Sequence, residues 1–174
     1  TDNKPFVIFG FTSQLWELLI LQLINKNLKI KNNKGILIHG GGWKKMQDRS
    51  INKRLFYNKI KNYLGVNSIH DYYGMVEQTG SIYPECEEGN FHTSIFSEII
   101  LRDNALNPIK DFNKVGIVQS LSLLPNSYPG HNILTEDYGI IKGIDCCKCG
   151  RLGKIFSLHG RVESTDLRGC SDAN

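Results

Sequence analysis

Several classes of protein are excluded by what this sequence lacks. It has no apolar run long enough to cross a bilayer. The most apolar stretch, residues 15–24, is interrupted by Glu17 and Gln22, and a spanning helix needs about 20 consecutive apolar residues. It has no signal peptide, which makes the cytoplasm the default location. It has no dense basic stripe: the net charge is only +4, and the lysines of the first third are interleaved with Asn and Ile. That pattern reads as a solvated face with some attraction for phosphates, and not as a nucleic-acid surface. A secreted disulfide framework is also absent. The five cysteines are odd in number, and three crowd into Cys146-Cys147-Lys148-Cys149, which suits metal binding in a reducing compartment better. There is no internal repeat and no low-complexity linker.

What is present is enough for a real hydrophobic core. The chain has 174 residues, 40% of them hydrophobic and 22% charged, as in ordinary globular domains. It opens Thr1-Asp2-Asn3-Lys4-Pro5 without an initiator Met and enters an apolar run almost at once. This reads as a cut inside a larger protein. Residues 6–9 form an expected strand, and Ser13 an expected cap for a helix over residues 14–24. A second strand covers residues 36–39. A helical period runs over residues 48–64 through Ile51, Leu55, Phe56, Ile60, Tyr63 and Leu64, with Gly65 as its terminator. A third strand covers residues 68–72. The alternation predicts an α/β layer with at least partly parallel strands. The second half changes character. Strands are expected over residues 94–102, 116–124, 132–135, 138–142 and 154–159, giving a β-rich subdomain of hairpins or a small barrel. The predicted division is residues 1–93 for the α/β layer, 94–159 for the β-rich part, and 160–174 for a hinge-like segment with a loose tail.

Five motifs carry candidate chemistry. His39-Gly40-Gly41-Gly42-Trp43-Lys44 follows a strand. Its glycines allow close approach of backbone to a ligand, at the strand end where α/β sheets bind ligands. An esterase oxyanion loop would also need a G-x-S-x-G elbow, which is missing; the remaining alternative is a flexible turn. Asp71-Tyr72-Tyr73-Gly74-Met75-Val76-Glu77-Gln78 also follows a strand. An aromatic before Gly can offer a ring face to a base, and Glu77 can hold a hard cation such as Mg2+. A surface turn with a solvated Glu is the plain alternative. In Thr135-Glu136-Asp137-Tyr138-Gly139, Asp137 is either a hairpin residue or a carboxylate for two ribose hydroxyls. Arg161, in Gly160-Arg161-Val162-Glu163, either contacts ribose or phosphate through its fork of donors or makes a structural salt bridge. Finally, Cys86, His92, Cys147 and Cys149 form a candidate zinc set, with Cys146 as a substitute ligand; reduced structural thiols are the alternative.

Taken in order, these segments resemble the adenylate-forming superfamily of acyl-CoA synthetases, luciferases and peptide-synthetase adenylation domains. Tyr73-Gly74-Met75-Val76-Glu77 looks like its Y-G-x-T-E motif, Thr135-Glu136-Asp137 like T-G-D, and Gly160-Arg161 like the G-R-x-D hinge segment. Over nearly its whole length the chain is similar to LuxE-type acyl-protein synthetases and to the phenylacetate–CoA ligase branch. The matching pieces are ILIHGGGWKK, DYYGMVEQTGSIYPECEEGNFH, NILTEDYG, CKCGR and LRGCSD. In that branch a Glu-Cys loop, a His and a later Cys-x-Cys-Gly occur in the same order, which supports the zinc reading.

The resemblance implies the C-terminal half of the large domain of an adenylate-forming enzyme. It implies an acid activated with ATP and Mg2+, long-chain fatty acid being the expected type, and an acyl group passed to a thiol. That thiol would be the chain's own cysteine, a partner protein or CoA. By position, Gly40, Gly41 and Gly42 wall the adenine and acyl groups, Tyr73 with Gly74 stacks adenine, and Glu77 helps bind Mg2+. Asp137 takes the ribose hydroxyls, Arg161 contacts ribose or phosphate, and Cys170 is the candidate acyl acceptor. Val76 stands where Thr is usual and Glu136 where Gly is usual. The superfamily's Ser/Thr/Gly-rich phosphate loop is absent and is expected upstream of Thr1. The isolated chain is therefore expected not to turn over ATP. A zinc-stabilised binding or scaffold protein without catalysis is the competing class.

Overall fold

The computed structural model describes residues 4–30, 33–42 and 51–162. The chain forms two compact units that divide between Tyr72 and Tyr73. The sequence placed its first boundary after residue 93, so residues 73–93 lie with the β-rich unit in the structure.

The first unit is built on three parallel strands: β1 (Phe6–Phe11), β2 (Gly35–Gly40) and β3 (Ser68–Tyr73). β2 lies in the centre, with Phe11 beside Gly40 and Gly40 beside Tyr72 at the C-terminal edge. Strand alternation sends one set of side chains to each face. Leu37 and His39 of β2 are buried in this way, while Ile36 is exposed. The helix after β1 is α over Thr12–Gln14, π over Leu15–Ile20, and α again over Leu21–Asn25. Its N-cap is Phe11, without a side-chain cap bond. Ser13 therefore lies inside the helix and does not cap it. The helix Lys53–Leu64 begins where the Asn52 side chain accepts from the Leu55 amide, 2.9 Å. It ends at Gly65, whose φ of 70° is the left-handed cap geometry that glycine adopts readily. The expected earlier start of this helix falls partly outside the described residues. Phe56, Ile60 and Leu64 share its buried stripe and pack with Leu15, Trp16, Ile20, Leu37 and Val66. Each such side chain stabilises by about 1.5–3 kcal/mol on full burial.

The second unit is a six-stranded antiparallel sheet, in the order β5-β10-β9-β8-β6-β7. These are β5 (Phe91–His92), β6 (Ser97–Arg102), β7 (Pro108–Ile109), β8 (Val115–Ser122), β9 (Asn132–Ile144) and β10 (Lys154–Arg161). A 3-10 turn at Val76–Gln78 and the short β4 (Tyr83–Pro84) precede them. The two expected pieces over residues 132–142 are one continuous strand. Asp137 therefore lies within β9 and is not a hairpin-turn residue. The core joins Tyr73, Tyr83, Phe91 and Phe156 with Ile99, Leu101, Val118 and Ile141. Among the described residues, no helix is long and apolar enough to cross a membrane.

Candidate functional site

The second unit gathers three of the predicted site residues. β9 and β10 pair so that Arg161 stands opposite Asp137. Arg161 Nε lies 3.4 Å from Asp137 Oδ1, and its Nη1 lies 3.6 Å from Glu136 Oε2. The Tyr73 hydroxyl donates to Asp137 Oδ2 at 2.9 Å. Burial first, and then the Asp137 charge, raise the Tyr73 pKa well above the ordinary phenol value. Tyr73 is thus a hydrogen-bond donor at every working pH. Asp137 has about four lone-pair directions. Among the described residues one neighbour faces each of its oxygens, which leaves acceptor capacity for a ligand.

Tyr73 does this from inside the core. Its ring is 8% exposed, stacks on Tyr83 at 6.0 Å, and meets Phe91 and Phe156 at 6.3 Å each. Adenine stacking, which the family resemblance implies for Tyr73, would use a face of that ring. The structure gives the ring to the core and the hydroxyl to Asp137.

Glu77 is exposed on its 3-10 turn. The backbone of that turn is held by groups the sequence reading missed. Gln78 is 1% exposed. Its Nε2 donates to the carbonyls of Ser120 and Gly130, 3.1 and 2.8 Å, and its Oε1 accepts from Ser120 Oγ, 2.5 Å. The Tyr83 hydroxyl joins Ser120 Oγ at 3.0 Å. A Cβ on Gly130 would run into the Glu77 carbonyl. The one sequence signal for this network was the position of Gln78 next to Glu77; Ser120 lies 42 residues away.

Cys86, His92, Cys147 and Cys149 also come together, with one ligand atom from each within 4.8 Å of the others. Cys86 and Cys147 sulfurs are 3.9 Å apart, and Cys149 Sγ is 3.4 Å from His92 Nε2. A tetrahedral zinc with bonds of about 2.3 Å to sulfur and about 2.0–2.1 Å to nitrogen requires separations of about 3.8 and 3.6 Å. The donor set and its spacing therefore fit such an ion. Among the described residues, buried His92 Nδ1 has no hydrogen-bond partner. Burial lowers the His92 pKa, favouring the neutral imidazole that a metal binds. Desolvation pushes the Cys149 thiol up to about 11, while the Cys149 backbone amide lowers Cys147. Gly150, with a φ of 78°, turns the knuckle. Cys146 is exposed and lies outside the four-residue group.

In the first unit, the Gly40–Gly42 loop leaves the C-terminal end of β2. A Cβ on Gly40 would lie 2.5–2.9 Å from the Tyr72 ring, and Gly41 has a φ of 84°. Packing thus requires Gly40 and backbone geometry favours Gly41, whatever ligand approaches. Thr12 Oγ1 donates to the Gly40 and Gly41 carbonyls, 3.1 and 3.3 Å. Fully buried His39 lies 2.9 Å from Thr12 Oγ1 through Nδ1 and 3.2 Å from the Tyr57 hydroxyl through Nε2. Thr12 donates onward, so the bonding pattern assigns the His39 proton to Nδ1. Burial and then the charge of Lys53 lower the His39 pKa to about 3. Trp43, Glu163 and Cys170 lie outside the described residues.

The comparisons with known proteins agree with this architecture. The chain matches 2-hydroxyisobutyryl-CoA ligase, solved in an open conformation with 2-HIB-AMP and CoA, at TM-score 0.70 and 16% identity. That match covers 91% of this chain and 34% of the ligase. The anthranilate CoA ligase AuaEII, in complex with anthranoyl-AMP, matches at TM-score 0.59 and 14% identity, over 92% of this chain and 30% of that one. A long-chain-fatty-acid-CoA ligase from Archaeoglobus fulgidus matches at TM-score 0.59 and 11% identity, over 91% and 34%. The chain spans about a third of the length of these proteins. At these identities the likeness is one of fold, and the fold is that of part of an adenylate-forming enzyme. Among curated protein sequences none is significantly similar. The chain belongs to the acyl-protein synthetase family, LuxE, whose sequence profile matches residues 1–174.

Proposed function

We propose that this protein is an acyl-adenylating ligase that activates a carboxylic acid, of the long-chain fatty-acid type, with ATP and passes the acyl group to a thiol. The carboxylate attacks the α-phosphate, pyrophosphate leaves, and a thiolate then displaces AMP from the mixed anhydride. Such a step depends more on neutralising phosphate charge and aligning reactants than on a general base. The observation that carries the reading is Asp137, held on one oxygen by the Tyr73 hydroxyl and faced on the other by Arg161. That carboxylate accepts the ribose hydroxyls, and the Arg161 fork contacts ribose or phosphate beside it. Tyr73 acts by fixing Asp137. Exposed Glu77 supplies an oxygen ligand to the Mg2+ that accompanies ATP. Gly40, Gly41, Gly42 and Gly74 contribute backbone to nucleotide and acyl binding, and Cys170 is the candidate acyl acceptor.

Zn2+ is the metal proposed for Cys86, His92, Cys147 and Cys149. With four protein donors and no open position it is structural, and it supplies cross-linking rather than chemistry. ATP–pyrophosphate exchange, assayed with the full-length protein and a panel of fatty acids, tests the first step. Exchange that depends on the acid and is lost in Asp137→Ala supports the reading; nucleotide binding without any exchange refutes it. Thioester labelling undiminished in Cys170→Ser moves the acceptor elsewhere. CoA as the acceptor is the second reading, favoured by the CoA ligases that share the fold. Acyl-CoA formation distinguishes it.

A further inference from the structure

We propose that the Cys86–His92–Cys147–Cys149 centre sets the register of the β9–β10 hairpin, and so links metal loading to the Tyr73–Asp137–Arg161 group. The inference rests on the metal fit and, for its ligand arm alone, on the ribose reading of Asp137.

Three observations carry it. First, the ladder between β9 and β10 is interrupted twice. Ile155 faces Gly143 but Phe156 faces Ile141, which leaves Lys142 as an extra residue on β9; Leu158 faces Gly139 but Arg161 faces Asp137, which leaves an extra residue on β10. A slip of one residue in such a pair exchanges the two faces of a strand. The two bulges cancel, so Arg161 opposite Asp137 returns to the register set at the hairpin tip by Lys154 opposite Ile144. The Arg161–Asp137 pair forms only when the tip holds that register.

Second, the centre grips both strands at one end. Cys147 and Cys149 sit in the connection between β9 and β10, while His92 lies on β5, which pairs with β10 through Ile155 and Phe156. Closing the four ligands fixes the hairpin tip against the strand beside it. The surplus residue of the first bulge is tied to the same place: Lys142 Nζ donates to Asn90 Oδ1 at 2.6 Å, and Asn90 Nδ2 lies 4.0 Å from Cys147 Sγ. From this end to Asp137 the strand runs about 23 Å, at about 3.3 Å per residue.

Third, a packed route connects the two ends. Phe91, next to the ligand His92, meets Phe156 at 5.5 Å and the Tyr73 ring at 6.3 Å. The hydroxyl of that ring holds Asp137. Metal loading thus bears on Asp137 through both the strand register and the ring that fixes it. Binding linkage is reciprocal: whatever factor the metal adds to nucleotide affinity, nucleotide adds to metal affinity.

Hydrogen exchange on the full-length protein, Zn2+-loaded and chelator-stripped, tests this without any turnover. The reporter is the Val162 amide, which donates to the Glu136 carbonyl at 2.9 Å beside Arg161. Stripping is expected to cut its protection at least about tenfold, with the helix Lys53–Leu64 unchanged. Losses confined to residues 86–92 and 145–153 overturn the proposal, as does a protein that takes up no stoichiometric Zn2+. If the stripped β-rich unit unfolds altogether, Cys149→His decides the matter. Its weakened centre should leave Val162 partly protected, with protection restored by excess Zn2+; protection there that does not respond to Zn2+ overturns the link. Co2+ affinity measured with and without AMP reads the ligand arm, and is expected to rise with AMP by the same factor as AMP affinity rises with metal. AMP that binds loaded and stripped protein equally refutes the link. AMP that binds neither removes the ribose reading of Asp137 and leaves the exchange result to decide the register.

Discussion

Tyr73→Phe removes one hydroxyl and leaves the aromatic core nearly isosteric, so it isolates the bond to Asp137. A hydrogen bond to a charged group contributes about 1.5–3 kcal/mol. Asp137 keeps 22% of its side-chain surface exposed, and water will partly replace the lost donor. We therefore expect a loss of about 1–2 kcal/mol in stability, or a urea midpoint lower by about 0.5–1 M at ordinary m-values. A misoriented carboxylate should also weaken AMP binding about 5–30-fold, since 1.4 kcal/mol is a factor of ten. The double-mutant cycle with Asp137→Asn separates this bond from general damage. The raised Tyr73 pKa adds a further expectation: the coupling should stay flat between pH 5 and 9, because the phenol remains protonated throughout. A coupling below about 0.3 kcal/mol would refute the argument. A stability loss with unchanged AMP affinity would leave Tyr73 a core residue and detach Asp137 from nucleotide.

Other substitutions probe the remaining parts. His39 is neutral when folded, with a pKa of about 3 against 6.5 for the free side chain, so its contribution is complete above about pH 6.5 and is lost as pH falls toward 3. Wild-type protein should lose on the order of 1 kcal/mol per pH unit in that window, and urea melts at pH 7 and 5 should show a smaller loss in His39→Gln. Gly40→Ala drives a methyl into the Tyr72 ring and should destabilise by about 1–3 kcal/mol; Tyr72→Ala in the same chain should relieve much of that penalty in thermal melts, and additive losses would argue against the clash. Gln78→Leu strands the Ser120 and Gly130 carbonyls and should cost about 2–4 kcal/mol. A Gln78→Leu protein with an unshifted urea midpoint would mean that those carbonyls find other partners.

Local chemistry and order along the chain were legible in the sequence. The helical period of residues 48–64, with Gly65 after it, marked a helix because the apolar stripe and the terminator are local, while the start at Lys53 with its Asn52 cap was seen only in the structure. The alternation of strands and helices followed by strands alone determined the α/β layer and the β-rich unit. Cysteine and histidine, as soft and borderline donors in a crowded pattern, marked the candidate metal ligands before any distance was known. Tertiary structure decided which residues meet. Asp137 had a hairpin-residue alternative beside its ribose reading because two short strand-like pieces flanked it, and only pairing with β8 and β10 drew them into one strand. Tyr73 and Tyr72 are adjacent and chemically alike, yet alternation along β3 sends them to opposite sides, and the core took Tyr73 while its hydroxyl took Asp137. Gln78 stood out only as a neighbour of Glu77 and Ser120 not at all, because a buried polar network exists only when the backbone brings its members together. Cys146 has the same chemistry as Cys147 and Cys149. The turn of the knuckle brings those two to Cys86 and His92 and leaves Cys146 exposed.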